Sequence, residues 1–139
     1  MRYTYFFVLA FIGSACAGDV SDTVRDYLDI HKLFYSIECA DSKTQTEMDA
    51  CGEKVIKSSE RKMNKLFNQL QLNYKSSEPG LIKDFNESQK QWALYANANC
   101  KVETWYSREG SAFQSIWNAC MEAKINERIS YLAWLSDNP

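Results

Sequence analysis

The sequence predicts an all-α fold, a small antiparallel helical bundle of about four helices stapled by two disulfides. Three observations predict it. Apolar residues recur with the helical period of 3.6, and no alternating run is long enough to build a sheet. Only two prolines and five glycines punctuate the 139 residues. Four cysteines, Cys39, Cys51, Cys100 and Cys120, follow a short apolar leader, the pattern of a small exported domain that needs covalent support.

The leader comes first in the chain. Met1-Arg2-Tyr3 gives a charged start, Tyr5 to Ile12 is apolar, and Ala15-Cys16-Ala17 has the small-x-small form of a cleavage site. About eight apolar residues fall far short of the roughly 20 that a membrane-spanning helix needs. Residues 1–17 therefore read as a secretory signal peptide, with cleavage near Ala17 and delivery to the periplasm or the exterior. Gly13-Ser14-Ala15-Cys16 loosely resembles a lipoprotein box, but Gly13 stands where Leu is normal. Ordinary cleavage is favoured over a lipid anchor at Cys16.

Residues 18–37 read as an N-terminal helical extension. Ser21 can cap a helix from Asp22 to about Tyr35, with Val24, Tyr27, Leu28, Leu33 and Phe34 on a loose stripe. The domain proper then spans 38–139. Its longest helix opens at Thr44-Gln45-Thr46-Glu47, a capping box in which the Thr oxygen and the Glu carboxylate satisfy free amides reciprocally. Met48, Cys51, Val55, Met63, Leu66, Phe67, Leu70 and Tyr74 form its stripe up to about Lys75. Gly52 costs about 1 kcal/mol in a helix interior, which predicts the close approach of another backbone there. Ser76-Ser77-Glu78-Pro79-Gly80 is the break.

The next helix runs from about Pro79, which suits a first helical turn, to Cys100. Its inward face holds Leu81, Phe85, Ser88, Trp92, Tyr95 or Ala96, and Asn99. Lys101 to Ser111 is a connection. The last helix runs from about Ala112 to Leu135, with Phe113, Ile116, Trp117, Cys120, Ile125, Ile129, Leu132 and Leu135 inward.

With these elements folded back on one another, all four sulfurs gather at one pole. Four cysteines allow three connectivities, and sequence alone does not choose among them. Cys39–Cys51 with Cys100–Cys120 is the preferred set. Each closes a modest loop, worth on the order of 3 kcal/mol by chain entropy. The cysteine spacings lack the tight ligand pairs of zinc sites, so no metal and no cofactor is expected.

The ordered set of motifs resembles the lysozyme inhibitor LprI-like N-terminal domain family. Cys39 and Thr44 to Cys51 match its opening. Met63-Asn64, Phe67 and Leu70 follow, then Leu81, Gln89, Trp92 and Cys100, and finally Gly110-Ser111, Cys120, Arg128 and Leu132. The match covers about residues 38–135. The family often has Arg where this chain has Ala96, and Thr where it has Ile125. The resemblance implies an exported helical bundle that binds protein, with lysozyme as the named target and another envelope or host protein, or a scaffolding role, as the alternative.

The remaining candidates are polar or aromatic. Asn64 and Gln89 lie on or beside inward stripes and read as a structural hydrogen-bond network between two helices. Arg128 reads as the partner of an acidic residue or a helix carboxyl end. Trp105, Tyr106 and Glu109 sit in the connection, outside any stripe, and are the candidate partner-binding residues. No catalytic set is expected. His31 is the only histidine, Glu47, Glu53 and Glu60 face water, and no nucleophile elbow occurs. The formal net charge of −2 lacks the basic stripe of a nucleic-acid binder. Removing the leader takes Arg2 with it, leaving 15 basic against 18 acidic residues and a net of −3.

Overall fold

The computed structural model describes Cys39 and residues 41–138. The leader, Cys16, His31 and the expected first helix lie outside the described residues. What is described holds three α-helices rather than about four: α1 (Gln45–Ser77), α2 (Ile82–Glu103) and α3 (Phe113–Asp137). Short 3-10 turns, Pro79–Leu81 and Trp105–Ser107, join them. No strand occurs among the described residues.

The start of α1 follows from its sequence. Thr44 Oγ1 accepts from the Glu47 amide at 3.2 Å, and the Glu47 carboxylate accepts from the Thr44 amide at 3.2 Å and the Lys43 amide at 2.7 Å. These bonds satisfy amides that a helix start otherwise leaves open. At the other end Glu78 caps α1 through its amide, which donates to Tyr74 O at 2.8 Å. Pro79 then begins a single 3-10 turn before α2.

Cross-helix contacts define the topology. Gln45 Nε2 donates to Ser115 Oγ at 2.6 Å, and Asn118 Nδ2 donates to Asp49 O at 3.3 Å. The sequence offset between these partners is nearly constant, so α1 and α3 run parallel. α2 runs against both. Gln71 meets Asn86 and Met63 meets Gln89 on one side, while Cys100 meets Cys120 and Ser88 meets Arg128 on the other. The bundle is therefore up-down-up, and α1 packs far more extensively on α3 than on α2.

The core lies away from the cysteine pole. Met63, Leu70, Tyr74, Phe85, Ile125 and Leu132 form one buried cluster. Phe85 is its hub, stacked on Phe67 at 4.8 Å and edge-on to Tyr74 at 5.1 Å. Each such side chain contributes about 1.5–3 kcal/mol by leaving water. On α2 the inward choice is Ala96, fully buried, while Tyr95 is exposed. The small side chain lets the neighbouring helix come close.

Several expectations are corrected. Leu81 and Ile116, expected inward, are 42% and 40% exposed, and Ser88 and Met48 also lie on the exposed side. Conversely, Asn118, Glu122 and Lys124 on α3 are buried. Residues Glu122 to Ile125 are buried in succession, so this stretch is enclosed on all sides and has no apolar stripe to read. Gly52 does face a close approach, but by a side chain rather than a backbone. A Cβ there would lie 2.9 Å from Asn118 Nδ2 and 3.0 Å from Asn118 Cβ.

Among the described residues, Arg128 meets neither an acidic side chain nor a helix carboxyl end. Its Nε donates to Gln89 Oε1 and its Nη2 to Ser88 Oγ, both at 3.0 Å. Its guanidinium lies 5.8 Å from the Trp92 ring and 4.9 Å from the Tyr131 ring. Burial pushes its pKa below the ordinary arginine value because desolvation disfavours the charged form. Aromatic faces and neutral oxygens surround the charge in place of a carboxylate. Asn64 takes no part in this arrangement and is exposed on α1.

Candidate functional site

The cysteine pole carries the most elaborated surface. Cys39–Cys51 and Cys100–Cys120 are both formed, with Cα separations of 5.8 Å. The first fastens the residues before α1 to its second turn. The second joins the end of α2 to the early turns of α3, at the base of the loop between them.

That loop is a chain of tight turns. The Thr104 amide donates to Cys100 O and closes α2. The Ser107 amide then donates to Thr104 O, the Gly110 amide to Ser107 O and the Phe113 amide to Gly110 O, at 2.9–3.1 Å. Each of the last three bonds spans three residues, so the path from Thr104 to Phe113 has little slack. Thr104 is buried, and its hydroxyl donates to Cys100 O at 2.7 Å. Glu103 and Lys124 brace the base with an ion pair at 3.3 Å, in which the lysine side chain is 4% exposed. Glu103 Oε2 also lies 3.3 Å from Cys120 Sγ, a contact without hydrogen bonding because a disulfide sulfur has no proton to give.

On this base the loop displays its side chains. Tyr106 is 97% exposed, Trp105 is 55% exposed, and Glu109 is exposed beside them. Arg108 was not singled out in the sequence, yet it orders the loop. Its guanidinium covers the Trp105 ring at 4.1 Å, its Nη1 donates to Trp105 O at 2.7 Å, and it pairs with Glu109 at 3.5 Å. An i, i+3 Trp-Arg spacing in a loop carries no signal until the turn that closes it is known. Behind the Trp105 ring is an apolar cavity of about 170 Å³, bounded by Thr104, Phe113 and Trp117, with Lys101 and Arg108 at its mouth.

The structure thus brings Trp105, Tyr106 and Glu109 together on one braced loop, and it sets Gln89 and Arg128 together in mid-bundle. Among the described residues Asn64 bonds to neither group, although it lines the same groove as Gln89. Among the described residues no three His, Cys, Asp or Glu side chains are placed to hold a metal ion, and no helix is long and apolar enough to cross a membrane. What the pole offers is an exposed, partly aromatic surface on a backbone held by successive turns.

Neither the curated proteins nor the solved structures contain a match to this chain. The family model described as lysozyme inhibitor LprI does match it, over residues 38–132. That span takes in both disulfides, all three helices except the last residues of α3, and the whole braced loop. The chain belongs to the lysozyme inhibitor LprI family.

Proposed function

We propose that this domain is an exported, non-catalytic protein-binding module that inhibits lysozyme by seating the loop 104–112 in the enzyme's cleft. The name of the family supports lysozyme as the target. The observation that carries the mode of action is the loop itself. A nearly fully exposed Tyr106 stands at its tip, on a backbone already held by successive turns and a disulfide. The backbone beneath it loses little freedom on docking, so more of the contact energy survives as affinity. Trp105, Tyr106 and Glu109 are the contact residues in this reading, with Arg108 holding the Trp105 ring in place.

Two further features support it. Disulfides persist in oxidising compartments, extracellular or periplasmic, where a secreted lysozyme is met. The negative net charge favours encounter with a cationic enzyme. Purified protein should slow lysis of cell-wall substrate at near-stoichiometric ratio. Undiminished lysis at a large excess in low salt overturns the proposal and directs the search to a different protein target.

A further inference from the structure

We infer that the groove between α1 and α2 is a binding site for a small, uncharged N-acyl ligand of the N-acetylamino sugar class. The inference does not rest on the lysozyme reading, because it concerns another face of the molecule. α1 and α2 make few contacts with each other, and the space between them is a groove of about 610 Å³. That volume lies in the range that small-ligand sites occupy. Met63, Ala96, Met121 and Ile125 give it an apolar floor, and Trp92 gives it an aromatic flank.

The feature that points to a ligand is the Gln89 amide. Its oxygen accepts from Arg128 Nε at 3.0 Å, while its nitrogen lies 3.6 Å from Met63 Sδ. Turning the amide over would press its NH2 against the guanidinium, so Arg128 fixes which end faces the groove. The two N–H donors therefore face the groove from a half-buried position, and among the described residues the partner they meet is the Met63 thioether, a weak acceptor. A partly buried amide donor is better satisfied by oxygen than by sulfur.

An acetamido group supplies both halves of the match. Its carbonyl oxygen accepts from Gln89 Nε2, and its methyl falls on the neighbouring Met63 side chain. Asn64 and Asn86 stand on the rim, within the polar perimeter that sugar hydroxyls would meet. Glu60 and Lys90 add one charge of each sign, so the rim selects neither anion nor cation. A helical peptide would need apolar anchors repeating along the groove, and here the polar rim interrupts them.

The test is a titration of the isotopically labelled protein, read at the Gln89 side-chain amide and Trp92 indole resonances. Three probes are compared: N,N′-diacetylchitobiose, cellobiose, and N-acetylalanine methylamide. Cellobiose has hydroxyls where chitobiose has acetamido groups. The expected result is saturation by diacetylchitobiose at roughly millimolar concentration, with cellobiose about tenfold weaker. Gln89→Glu keeps an oxygen for Arg128 and replaces the donor with a second oxygen. It should hold its melting temperature and lose about tenfold or more in affinity. Ala93→Leu, at an exposed helix position on the groove wall, should block binding sterically while the fold is kept. Equal binding of the two disaccharides, unchanged affinity in Gln89→Glu, saturation by the peptide amide alone, or no response to any probe would each overturn the assignment. Lysozyme inhibition by Ala93→Leu should be unaltered, which keeps the two proposals separable.

Discussion

At the pole where α2 ends and α3 begins, a disulfide, the buried Lys124 paired with Glu103, and the Asn118 side chain hold the chain. Toward the opposite end, Phe67, Tyr74, Phe85 and Leu132 pack with no covalent link between helices. The two regions solve different problems. Apolar packing is non-directional and fixes how much surface is buried. Disulfides and polar pairs are directional and fix where particular atoms lie. The displayed loop sits over the directional region, so stability and surface geometry are carried by different residues.

That division can be tested by breaking one region at a time. The largest effect is expected from Phe85→Ala, which removes the hub of the apolar end and should cost about 4 kcal/mol. Denaturant unfolding measures the loss. At low temperature, where the variant is still folded, amide exchange from Thr104 to Phe113 should match the parent. Cys100→Ser with Cys120→Ser should cost about 3 kcal/mol and give the opposite pattern, with fast exchange in the loop and lost inhibition of lysis. If the loop stays protected without its disulfide, the division of labour is wrong.

Smaller changes sharpen the contrast. Thr44→Ala removes half of the capping box and should cost about 1 kcal/mol, seen as a shifted denaturation midpoint with an unchanged slope. Tyr106→Ala should move stability by no more than about 0.5 kcal/mol, because the ring touches almost nothing. Its effect belongs to the lysis assay, where a loss of about tenfold or more is expected if the tip is an anchor.

The sequence made the apolar end and the helix punctuation readable. Thr44 with Glu47 marked the start of α1, Pro79 marked the turn into α2, and the stripe from Met63 to Tyr74 anticipated the core. Loop length favoured the cysteine pairing that is observed. The middle of α3 was not readable, because periodicity assumes that buried means apolar. There Asn118, Glu122 and Lys124 are inside, while Ile116, placed inward by its period, faces outward. The sequence marks Arg128 as a paired residue, but where an acidic group or a helix carboxyl end is expected, two aromatic rings and neutral oxygens stand among the described residues. Trp105 and Tyr106 stand out in the sequence because they fall outside every stripe. That negative criterion could not reveal Arg108, whose role depends on turns lacking proline signals.

The succession of turns from Thr104 to Phe113 has a consequence for substitution. Because the backbone path is set by main-chain bonds and by groups beneath it, positions such as Tyr106 and Glu109 can be exchanged without retuning the fold. If the tip is the contact surface proposed above, altering it alone changes the grip while the mount is kept.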